Sequence, residues 1–108
     1  MKGFLLINNE QIGESNFTVI DETMGAIGGN LIPYENYHNH QIEIQKHCDK
    51  KGIANSNNFN FKIILSDTIE LYPVGGIGVT DLLEVDEIYV ESAGNSEEII
   101  QKIKKLSI

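Results

Sequence analysis

The run Phe59-Asn60-Phe61-Lys62-Ile63-Ile64-Leu65 alternates with period two. Phe59, Phe61, Ile63 and Leu65 fall on one side, as a half-buried strand requires. Two shorter apolar runs, Phe4–Asn8 and Phe17–Asp21, flank a polar, glycine-containing connection and read as a hairpin or as neighbouring strands. Ser66-Asp67 can turn the alternating strand into Thr68–Tyr72, and a last strand is expected at Glu87–Glu91, where Ile88 and Val90 oppose Tyr89. The chain is therefore expected to be dominated by short strands.

Two helices complete the pattern. Pro33 suits the first position of a helix and Glu35 its first turn, Lys46, Lys50 and Lys51 lie near its end, and Gly52 is the left-handed stop. Tyr37, Gln41, Ile44 and Cys48 share one face of it, with Tyr34 close by. Asn95 or Ser96 caps a second helix, which places Ile99, Ile100, Ile103 and Leu106 on one flank. Its charges run from Glu97 and Glu98 to Lys102, Lys104 and Lys105, with Glu98 and Lys102 spaced to pair. The order β-β-α-β-β-β-α predicts an α+β fold, a mainly antiparallel sheet of about five strands packed with two helices. At 108 residues, positions 1–108 make one domain. Its core draws on seventeen isoleucines.

The charges are segregated. There are sixteen carboxylates, eight lysines and no arginine, for a formal charge of −8. From Ile63 to Gln101 nine acids (Asp67, Glu70, Asp81, Glu84, Asp86, Glu87, Glu91, Glu97, Glu98) stand without a single Lys. Gly3 to Gln45 carries Glu10, Glu14, Asp21, Glu22, Glu35 and Glu43, again without Lys. Both lysine clusters complete helix C-termini, but no helix dipole calls for the acids from Asp81 to Glu91. Arginine is the flat, five-donor fork that grips phosphate and carboxylate bidentately. Its absence and the negative charge argue against nucleic acid and anionic membrane surfaces as partners. The N-terminal apolar run is too short for a signal peptide and no stretch suffices for a membrane span, so a cytoplasmic location is expected. Cys48 is the only cysteine, which excludes an internal disulfide, and its place on the apolar helix face predicts burial.

Chemistry-bearing motifs are incomplete. The glycine segments 25–30 and 73–78 repeat Gly-x-Ile-Gly but lack the lysine of a phosphate loop, and Asp81 stands where a dinucleotide fingerprint needs glycine. Both read as turn or bulge glycines. His40, Glu43 and His47 form one helical column and are a weak candidate metal set, lacking the i, i+4 histidine pair of zinc helices. No catalytic set is complete and no cofactor is expected, so the chain reads as a binding protein ahead of an enzyme.

The expected function is a small acidic protein-binding module that engages a basic partner. An inhibitor or immunity-type protein that neutralises a toxin or nuclease is one concrete form. Its contact residues are Asp81, Glu84, Asp86, Glu87 and Glu91, with Tyr89 as an aromatic anchor. The alternatives are a metal-binding protein using His40, Glu43 and His47, or a structural subunit whose strand Phe59–Leu65 pairs with a neighbour's edge.

Overall fold

Apolar residues that come in short runs broken by glycine and asparagine fill short strands that share one buried face. The structure, a computed structural model describing residues 1–66 and 68–106, has nine such strands in one antiparallel sheet. They are β1 (Lys2–Ile7), β2 (Glu10–Asn16), β3 (Thr18–Asp21), β4 (Ala26–Pro33), β5 (Ala54–Asn55), β6 (Phe61–Leu65), β7 (Ile69–Glu70), β8 (Ile77–Asp81) and β9 (Ile88–Ser92). A 3-10 turn at Glu35–Tyr37 leads into helix α1 (His38–Lys51), and α2 (Glu97–Leu106) ends the described chain.

The sheet order is β5-β8-β9-β4-β2-β1-β6-β7, with β3 also paired to β4. Ser15 opposite Leu31 and Thr18 opposite Gly28 keep one register, so β2 and β3 form a single long arm against β4. Phe17 joins the two halves of that arm, fully buried, and its N–H donates to the Met1 carbonyl at 2.8 Å. On its other edge β4 carries β9, with Ile27 opposite Ser92. The sheet curls until β6 and β8 touch, and Leu5, Ile63, Ile27, Val79 and Val90 meet in one core. Helix α1 packs on β8 and β5, and α2 packs on β3 with Ile100 and Ile103 buried.

The α+β class stands, but the sheet has more strands in a different order than the sequence implied. Glu10–Asn16 is β2, where a connection was expected; its Gly13 lies in the ladder opposite Pro33. Segment 25–30 is largely β4, and Pro33 ends that strand where it was expected to begin a helix. Segment 73–78 contributes Ile77 and Gly78 to β8. The reason is close approach. A side chain at Gly28 would overlap the Tyr89 phenol, and one at Gly78 would overlap Ile53. These glycines make room inside a sheet, although Gly25 and Gly76 do turn the chain with φ of 61° and 81°.

The clearest sequence strand begins at Phe61, with Phe61, Ile63 and Leu65 buried and Phe59 stacked on Phe61 at 5.2 Å. Thr68–Tyr72 contracts to β7, and of the expected turn Ser66 has φ of 50° while Asp67 lies outside the described residues. β6 pairs with β1 on one side and β7 on the other, so it is not the free edge that subunit pairing would use.

Gly52 ends α1 as anticipated, at φ 83°, donating to the Cys48 carbonyl at 2.8 Å. Nothing lies within 4 Å of the position a Cβ would take there, so backbone strain is the sole penalty of a side chain. Gly52→Ala is expected to cost about 1 kcal/mol, read as a lower urea midpoint at unchanged slope.

Candidate functional site

Positions 37, 41, 45 and 48 follow helical spacing, so Tyr37, Gln41, Gln45 and Cys48 descend one side of α1 and its lead-in turn. That side faces the last residue of β8. Asp81 is only 2% exposed, and its carboxylate is held entirely by neutral donors. The Tyr37 hydroxyl donates to Oδ2 at 2.7 Å and Gln41 Nε2 to the same oxygen at 3.2 Å, while Gln45 Nε2 donates to Oδ1 at 3.1 Å. The Asp81 N–H points to Cys48 Sγ at 3.4 Å, and that thiol donates to the Val79 carbonyl at 3.3 Å. Bonds to an ionised acceptor are the strong kind. Burial first, and the Asp81 carboxylate second, push the Tyr37 phenol well above the ordinary tyrosine range. Asp81 thus ties helix to sheet. It leaves the expected contact set, because its oxygens point into the protein.

The chain emerges from Asp81 into the loop 82–87, closed by the Val85 N–H on the Leu82 carbonyl at 3.0 Å. Leu82, Leu83 and Val85 are exposed, Leu83 to 81%, and so are Glu84, Asp86 and Glu87. Apolar and acidic side chains are therefore interleaved on one short excursion. Between it and α1 lies a cleft of about 220 Å3, lined by Gln45, Asp49 and residues 82–85.

Beyond the loop, Ile88 and Val90 of β9 turn inward and Tyr89 and Glu91 lie half-buried on the outer face. Glu87 is the last loop residue before this strand. The Tyr89 ring rests across Gly28 of the neighbouring strand, and burial, then Glu91, raise its phenol's pKa. None of Glu84, Asp86, Glu87 and Glu91 belongs to an ion pair among the described residues. The loop acids and β9 thus form one continuous run, from which Asp81 alone is withdrawn.

The histidine column does not become a ligand set. His47 sits edge-on to Phe59 with ring centroids 4.9 Å apart, and Glu43 pairs with Lys46 at 3.4 Å. No group of three or more His, Cys, Asp or Glu is placed to hold a metal ion among the described residues. Cys48 is buried in the core cluster, as its helix face implied. Among the described residues no helix is long and apolar enough to cross a membrane.

No protein-family model matches the chain, and no curated protein or solved structure shows a significant similarity to it.

Replacing Tyr37 by Phe removes one donor from a buried carboxylate, and a stability loss of about 1–3 kcal/mol is expected. The pH response supplies a second readout. Tyr37 ionises near pH 10 in the unfolded chain and higher in the fold, so its contribution is present below about pH 10 and is lost as pH rises beyond it. Denaturant titrations from pH 9 to 12 should show a shallower alkaline decline in Tyr37→Phe than in the wild type. Tyr72 and Tyr89 contribute to the decline that remains, since their phenols are also raised.

Proposed function

We propose that this protein is an acidic protein-binding module that docks a basic partner through the loop 82–87 and the outer side of β9. The contact residues are Glu84, Asp86, Glu87, Tyr89 and Glu91, and the loop leucines join them. One observation carries the reading: Leu83 stands 81% exposed at the centre of an unneutralised acidic loop. An exposed leucine alone is ordinary. Three exposed apolar side chains within four residues, ringed by carboxylates, resemble the make-up of a contact patch, in which apolar anchors are surrounded by charges that steer the partner. The Asp81 network below gives the loop a fixed root, which lowers the ordering cost of binding.

The partner's chemistry follows from charge. A surface carrying Glu84, Asp86, Glu87 and Glu91 on a chain of net charge −8 attracts cationic proteins and repels polyanions. The concrete form is an inhibitor or immunity-type protein that covers a cationic enzyme such as a nuclease toxin. In that form, binding by this chain blocks the enzyme and requires no catalysis of its own.

The test is affinity capture from the source cell with three baits: the wild type, Leu83→Ser, and Glu84→Gln/Asp86→Gln/Glu87→Gln. The wild type should retain a basic protein that elutes as ionic strength rises from about 0.15 to 1 M, where the screening length falls from roughly 8 to 3 Å. The triple variant should bind at least about tenfold more weakly and with less salt dependence, and Leu83→Ser should weaken binding without changing the salt dependence. Equal capture with an equal salt response by wild type and triple variant would refute the patch.

A further inference from the structure

The second glycine segment borders a groove on the outer face of the sheet. Its floor is Gly78, its walls are Ile20 of β3, Ile53 and Ala93, and Glu91 is the one charged residue lining it. The volume is about 250 Å3. Small-molecule sites run from roughly 300 to 1,000 Å3, so this one suits a single side chain better than a cofactor. An aliphatic trough with one carboxylate, in no ion pair among the described residues, is complementary to an aliphatic stem that ends in a cation.

We infer that this groove is a subsite for a lysine side chain of the basic partner, with the methylenes lying between Ile20 and Ile53 and the ammonium meeting Glu91. The inference rests on the docking reading above and adds to it the residue type recognised. Continuity supports it. Tyr89 and Glu91 share one side of β9 and the loop ends at Glu87, so the groove lies within about 13 Å of the loop's end, at roughly 3.3 Å per residue. A partner seated on the loop therefore reaches it within four extended residues. Lysine fits better than arginine because guanidinium favours bidentate acceptors and aromatic faces, and the groove walls are aliphatic. The missing side chain at Gly78 matters here, since a Cβ there would push Ile53 out of the wall.

The experiment is an amide NMR titration of the full chain with three blocked tripeptides, Gly-X-Gly, where X is lysine, norleucine or arginine. Lysine should shift the Gly75, Gly76, Gly78 and Ala93 amides with an apparent Kd on the order of millimolar. In Glu91→Gln the Kd should rise about fivefold, and norleucine should bind no better to the wild type than lysine does to that variant. Shifts spread over all the acidic residues, an unchanged Kd in Glu91→Gln, or tighter binding of the arginine peptide would each overturn the inference. The triple glutamine variant in the loop should leave the lysine response at the groove intact. If it loses the partner while the wild-type groove ignores the lysine peptide, the subsite falls and the docking reading stands. If the groove answers lysine but the triple variant still captures the partner fully, the loop reading falls instead.

Discussion

The Asp81 carboxylate, held by Tyr37, Gln41 and Gln45, is the interaction that sets how helix α1 sits on the sheet and how the loop after β8 leaves it. A buried charge is costly unless each lone pair finds a donor, and here no cation shares the load. The donors come from a helix and its lead-in turn, the acceptor from the end of a strand. That arrangement fixes the rotation and height of α1 over β8, and with it the burial of Ile44 and Cys48. Sliding the helix by one residue would leave a charge with too few partners, a far greater penalty than the apolar contacts alone would impose.

The same bond network decides where negative charge remains visible. The ion pairs among the described residues are Lys2–Glu14, Lys46–Glu43, Lys102–Glu98 and Lys104–Glu22. Lys2 and Lys104 hold the Glu14 and Glu22 carboxyls below their usual range, chiefly through the hydrogen bonds they donate. None of these pairs reaches residues 81–91. With Asp81 drawn inside, four carboxylates in no ion pair among the described residues, Glu84, Asp86, Glu87 and Glu91, lie on the loop and on the outer face of β9. The segregation visible along the sequence thus persists in three dimensions, minus its first member.

Periodicity made part of this fold legible. The buried faces of both helices (with Leu106, 64% exposed, the exception), the inward residues of β6 and the Ile88/Tyr89/Val90 alternation all follow from spacing, which is a local property. Gln41 on the apolar face of α1 was a sign that something polar waits beneath it. Its partner could not be read, because Tyr37 and Asp81 stand 44 positions apart and an acid among acids looks solvated. Of the strands that went unread, β2, β4 and β8 contain glycine, and β5 is only two residues long. In a sequence glycine marks a turn, whereas Gly28 and Gly78 are required here by side chains from other segments, Tyr89 and Ile53. Contacts of that kind arise only once the sheet exists. The His40, Glu43 and His47 spacing is local too, and among the described residues it gathers no third ligand group around it.

The register shared by β2, β3 and β4 has a consequence for chain entropy. β1 to β4 are neighbours both in sequence and in the sheet, so joining them closes only short loops. The strands that flank this unit, β6 beside β1 and β9 beside β4, return from the second half of the chain and close long ones. Closure cost grows with the logarithm of loop length, so the sheet assembles most cheaply from its N-terminal third outward. The β8–β9 hairpin, bearing the acidic loop, is then an addition to a frame already in place, and changes at its tip have little leverage on how that frame forms.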